Sequence, residues 1–71
     1  MENGKMQRDE SGLAFAQKNG IRYLMVNRET GVIWNFSITR YTRSKLDYYR
    51  QFGHMRDCVV MTVAEYVKLT K

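Results

Sequence analysis

The chain predicts an α+β fold: a small antiparallel sheet with two short helices, in the order β-β-β-α-β-α. Three observations carry this expectation. Asn19-Gly20 and the stretch from Asn27 to Gly31 are turn signals set between apolar, β-rich runs. After Thr39 the apolar period lengthens from two residues to three, at Leu46, Tyr49 and Phe52. Thr62 and Glu65 have the spacing of a capping box, immediately after the β-branched run at 58–61.

Taken in order, residues 1–11 are polar, mixed in charge and without apolar period, and are expected to form a flexible tail ahead of one compact domain over 12–71. Residues 13–18 and 21–26 flank Asn19-Gly20 as the first two strands of a hairpin would. A short helix over 13–18 ending at an Asn-Gly cap is the alternative, since Ala, Gln and Lys are good helix formers. The hairpin signal favours the strand. Asn27 opens the second turn and Gly31 closes it, so that Asn27 faces Val32, and Tyr23 and Met25 share a core face with Trp34 and Phe36. In the third strand Val32, Trp34, Phe36 and Ile38 alternate with Ile33, Asn35, Ser37 and Thr39, leaving a wet side open to contact. Together these runs form a three-stranded meander.

A helix of about nine residues is then expected, with capping-box spacing at Ser44 and Asp47 and a stop at Gly53. A fourth strand follows at 58–61, and a terminal helix runs to Lys71 with Val63, Tyr66 and Val67 toward the sheet. Segment 13–52, three strands with tight turns and then a helix, resembles the small DNA-binding domains at the amino terminus of tyrosine-recombinase integrases and in the AP2 class. That resemblance implies a sheet set into the major groove.

The composition narrows the function. With 71 residues, one cysteine and one histidine, the chain can build neither an internal disulfide nor a paired Cys/His metal site, and the lone Cys58 lies in an apolar run as a buried small hydrophobe. No stretch is long enough to span a membrane and the amino terminus lacks a signal-peptide core, so the expected location is cytoplasmic. No catalytic residues, metal ligands or cofactor loop are expected. His54 has no orienting partner beside Cys58, the glycines are scattered, and Asp9-Glu10 falls in the expected tail. The chain is read as no enzyme.

Charge is the informative feature. Between Arg40 and Arg56 there are five basic residues (Arg40, Arg43, Lys45, Arg50, Arg56) against Asp47 alone, whereas the remaining residues hold seven basic against six acidic. Tyr41, Tyr48 and Tyr49 are interleaved with them. Arginine and lysine at this density suit a phosphate backbone, and tyrosines supply flat surfaces for sugars or bases. The expected function is a small binding module that contacts nucleic acid, DNA in particular, through segment 40–50 and the adjoining sheet face. Its contact residues would be Arg40, Tyr41, Arg43, Lys45, Tyr48 and Arg50, with Arg22 extending the surface. The alternative is a stand-alone regulatory or inhibitor protein docking on an acidic surface of a larger partner, with the tyrosines as anchors. A solvated, purely structural helix face would show the same charges. A second copy of the chain is a further candidate partner, through Tyr66 or Leu69 of the last helix.

Overall fold

The computed structural model describes residues 6–70, the side chain of His54 excepted. It contains α1 (Glu10–Lys18), β1 (Tyr23–Asn27), β2 (Ile33–Ser37), α2 (Arg43–Tyr49), a 3-10 turn (Gly53–Met55), β3 (Cys58–Thr62) and α3 (Val63–Leu69). The α+β class and the antiparallel sheet are as expected. The sheet has the order β2-β1-β3, with both pairings antiparallel. None of the described helices is long and apolar enough to cross a membrane.

The first expected strand is a helix. Asp9 caps it, its side chain accepting the Gly12 N–H at 3.1 Å, Glu10 and Lys18 suit its two dipole ends, and Leu13 and Ala16 turn inward one helical step apart. Asn19-Gly20 ends this helix instead of turning a hairpin. Gly20 adopts φ +67°, and the Ile21 N–H reaches back to the Ala16 carbonyl at 3.0 Å, the long bond of a Schellman motif. The same left-handed glycine serves either structure, and the cap lay in the residues assigned to the tail. With this strand gone, segment 13–52 lacks the three consecutive strands on which the integrase resemblance rested.

The second turn forms as expected. Gly31 takes φ +85°, its N–H bonds the Asn27 carbonyl, and Asn27 Oδ1 accepts from the Glu29 and Thr30 amides. Asn27 does face Val32, its N–H donating to the Val32 carbonyl at 2.9 Å. The strand register then departs from strict alternation. Val26 lies opposite Ile33 but Met25 lies opposite Asn35, so Trp34 is the extra residue of a bulge. That slip moves Ile33 onto the face of Leu24 and Phe36 and leaves Trp34 44% exposed, away from its expected core position.

Two helical layers cover the sheet. Leu24, Val26, Ile33 and Met61 pack against Leu13 and Ala16 of α1 and Tyr66 of α3, with Phe36 and Val59 at the margin. On the opposite face Met25 and Cys58 pack with Met55 under Tyr41, Leu46 and Tyr49. The expected core pair Tyr23 and Met25 therefore belongs to the α2 side. Thr62 and Glu65 form the capping box as spaced, each side chain accepting the other's amide N–H, and start α3. In α2 the cap is Thr42, which accepts from the Lys45 amide, two residues before the expected Ser44, and the helix ends at Tyr49 before reaching Phe52.

Residues 6–11 are not a tail. Met6 packs on the core, the Gln7 N–H bonds the Thr30 carbonyl, and Arg8 donates to Thr70 Oγ1 at 3.1 Å and to the Val67 carbonyl at 2.8 Å. The Asp9 N–H donates to the Tyr66 hydroxyl at 2.6 Å, and that hydroxyl donates to the Gly31 carbonyl at 2.6 Å. The rest of the expected tail, 1–5, and Lys71 lie outside the described residues.

Gly31→Ala is expected to cost at least about 2 kcal/mol, because a Cβ there would collide with the Gln7 backbone and the residue needs positive φ. Tyr66→Phe removes one hydroxyl from two partners at once and should cost about 1–3 kcal/mol. Urea denaturation midpoints of the two variants against the parent check both values.

Candidate nucleic-acid interface

The basic segment begins where β2 ends. Ser37 Oγ donates to the Thr39 carbonyl and accepts the Thr39 amide, which closes a local turn, and Thr42 then nucleates α2. All of the basic residues singled out from the sequence are exposed: Arg22, Arg40, Arg43, Lys45, Arg50 and Arg56.

They do not share one face. At about 3.6 residues per turn, Arg43, Asp47 and Arg50 fall along one stripe of α2, while Leu46 and Tyr49 turn toward the sheet. Arg43 and Arg50 border a surface hollow of about 470 Å³ that Leu46 and Asp47 complete. Lys45 and Tyr48 fall on the other flank of the helix. Arg40 belongs to a second hollow of about 310 Å³, with Tyr23, Tyr41, Val60, Thr62 and Glu65. Arg22 lines neither hollow. It stands at the entry to β1, where its main chain donates to Ser37 and accepts from Val63.

Tyr41 and Tyr48 have different environments. Tyr41 is half-buried, its hydroxyl donates to Asn35 Oδ1 at 3.0 Å, and its ring meets that of Tyr49 edge-on at 6.3 Å. Burial pushes its phenol well above the ordinary value, with Tyr49 and Cys58 adding to the rise. Tyr41 thus fastens the 40–42 segment to the sheet. Tyr48 is 56% exposed and edges against Phe52 at 5.4 Å, itself 40% exposed. Phe52, expected inside with Leu46 and Tyr49, stands at the surface because α2 stops before it.

The sheet face expected to be wet is partly covered. Asn35 and Ser37 are half-buried and Tyr41 closes over Asn35, whereas Val60 on the same face is 39% exposed. Asp47, read from the sequence as the lone acid of the segment and as the partner of Ser44 in a capping box, is placed by helix geometry between the two arginines of the first hollow. Its spacing, four residues after Arg43 and three before Arg50, carried that information. Among the described residues no three His, Cys, Asp or Glu side chains gather as a metal site would require. Burial, and secondarily Asp57, raises the Cys58 thiol, which suppresses the reactive thiolate. No protein-family model, curated protein or solved structure matches the chain.

A phenol is neutral when protonated, so a folded state that raises its pKa holds the proton more tightly than the unfolded chain does. For Tyr41 and Tyr66, both raised chiefly by burial, the resulting stability is fully present below the ordinary value of 10.0 and is lost as pH climbs through the raised folded value. Urea midpoints should therefore fall as pH rises above about 10. Tyr41→Phe should flatten that slope while leaving the Tyr66 contribution in place.

Proposed function

We propose that the chain is a small non-enzymatic binding module of the cytoplasm that contacts nucleic acid, DNA in the first instance, through the outer surface of α2 and the turn before it. The observation that carries this reading is the pairing of Arg43 and Arg50 around one hollow on α2, with Arg40 and Lys45 exposed nearby. Two turns of helix separate the arginines by about 10 Å along the axis. That spans roughly three phosphates of a B-form strand by axial rise. Asp47 between them disfavours a phosphate at the centre of the hollow and favours two contacts at its rim. Tyr48 offers its exposed ring to sugar or base, while Tyr41 acts by fixing the segment's position. The contact surface is thus the helix flank rather than the sheet.

The exposed edge-to-face pair of Tyr48 and Phe52 favours a second reading, docking on an acidic surface of a larger protein as a regulator or inhibitor. Aromatic anchors beside arginines are the common chemistry of such interfaces.

Fluorescence anisotropy with labelled duplex and single-stranded DNA, at about 50 and about 200 mM salt, separates the two. Nucleic-acid contact predicts micromolar binding that weakens steeply with salt. Arg43→Ala and Arg50→Ala should each weaken binding across sequences and lower the salt slope by about one. Absence of salt-dependent binding at micromolar protein would reject the nucleic-acid reading and leave the acidic-surface reading.

A further inference from the structure

We infer that the open edge of β3 pairs with the same edge of a second copy of the chain, antiparallel about Val60, to make one continuous sheet. The bonding phase of β3 shows which groups are on offer. The Arg28 N–H bonds the Asp57 carbonyl and the Val63 N–H bonds the Arg22 carbonyl, so with the registered pairing Val59 and Met61 also turn their main-chain groups to β1. Val60 and Thr62 turn theirs outward. The Thr62 N–H on that side is taken by Glu65 Oε1 at 2.9 Å, in keeping with this phase. The Val60 N–H and carbonyl point to the edge beside a side chain that is 39% exposed.

Native edge strands are usually guarded by charge, proline or a bulge. β3 reads Cys-Val-Val-Met-Thr and has none of these. Each edge has one amide held by a carboxylate, Thr62 by Glu65 and Ile33 by Asp9 at 3.1 Å, but only β2 carries a bulge, at Trp34, that interrupts the ladder. β3 is accordingly the edge open to addition.

A second copy is the occupant that fits. A two-fold axis at Val60 makes Val60 and its counterpart a hydrogen-bonded pair that exchanges two main-chain bonds, and sets Cys58 opposite Thr62. Beyond the strand the same register sets Asp57 opposite Val63 and Arg56 opposite Ala64. The exposed Arg56 of each copy then meets the Glu65 end of the other, and Asp57 approaches the hollow that holds Arg40. Opposite charges meet at both ends, twice by symmetry. Of the two contacts expected on the last helix, Tyr66 is fully buried in the core and Leu69 alone is exposed, a smaller surface than the β3 edge.

The test is independent of nucleic acid: sedimentation equilibrium of the full chain from micromolar to several hundred micromolar, with circular dichroism to monitor folding. The parent should pass from monomer to dimer, and amide exchange at Val60 should slow as dimer accumulates. Val60→Lys should remain monomeric with an unchanged spectrum. Arg56→Glu, a substitution at an exposed turn residue, should weaken the dimer at least tenfold by facing Glu65 with a like charge, and it serves if the lysine variant fails to fold. A parent that is monomeric throughout, or a dimer that Arg56→Glu leaves unchanged and in which Val60 exchanges freely, overturns the inference.

Discussion

The Tyr66 hydroxyl is the point on which the fold closes. Buried at the centre of the molecule, it accepts the Asp9 amide and donates to the Gly31 carbonyl, each at 2.6 Å, and so joins α3, the hairpin turn and the entry to α1. Its neighbours reinforce it. Arg8 reaches the Val67 carbonyl and Thr70 at the carboxyl end of α3, where a cation also suits the helix dipole. Gly31 lacks the Cβ that would bar Gln7 from passing against the turn. A chain of this size buries little apolar surface and, with a single cysteine, has no internal disulfide. A few well-satisfied polar bonds in the interior are therefore decisive in holding its layers together.

The same carboxylates that start helices each hold one edge amide of the sheet. Asp9 caps α1 through one oxygen and holds the edge amide of Ile33 with the other, while Glu65 completes the α3 capping box by holding the edge amide of Thr62. Each helix start is thereby locked to a sheet edge. On the remaining face, Tyr41 is fixed through Asn35, and α2 lies over Met25 and Cys58. This covering layer directs the arginines outward along the flank of a short helix, on the side of the sheet away from α1 and α3. The surface left for a partner is narrower, and more clearly divided, than the sequence suggests.

Several features are legible from residues alone because their causes lie within a few positions of chain. The Asn27–Gly31 turn, the Thr62/Glu65 box, the run at 58–61 and the concentration of charge between Arg40 and Arg56 all stand where the local pattern puts them. Exposure of the basic residues follows from the same local logic, since no lysine or arginine is readily buried without a partner.

Other features depend on contacts far apart in sequence. Asn19-Gly20 fits a hairpin and a helix cap equally well, because both need a glycine in the left-handed region. The choice falls to the helix because Asp9 finds Ile33 and Tyr66, distant residues that no nearby pattern announces. The bulge at Trp34 likewise puts Ile33 in place of Trp34 on the core face beside Phe36, and a one-residue slip leaves the composition of the strand untouched. Residues 6–9, mostly polar and without period, become structural only once there is a hairpin and a third helix to bind. Local propensity thus set the turns, the caps and the place of the charge, whereas the identity of α1, the buried side of β2 and the facing of the arginines were settled by packing, which alone brings the deciding partners together.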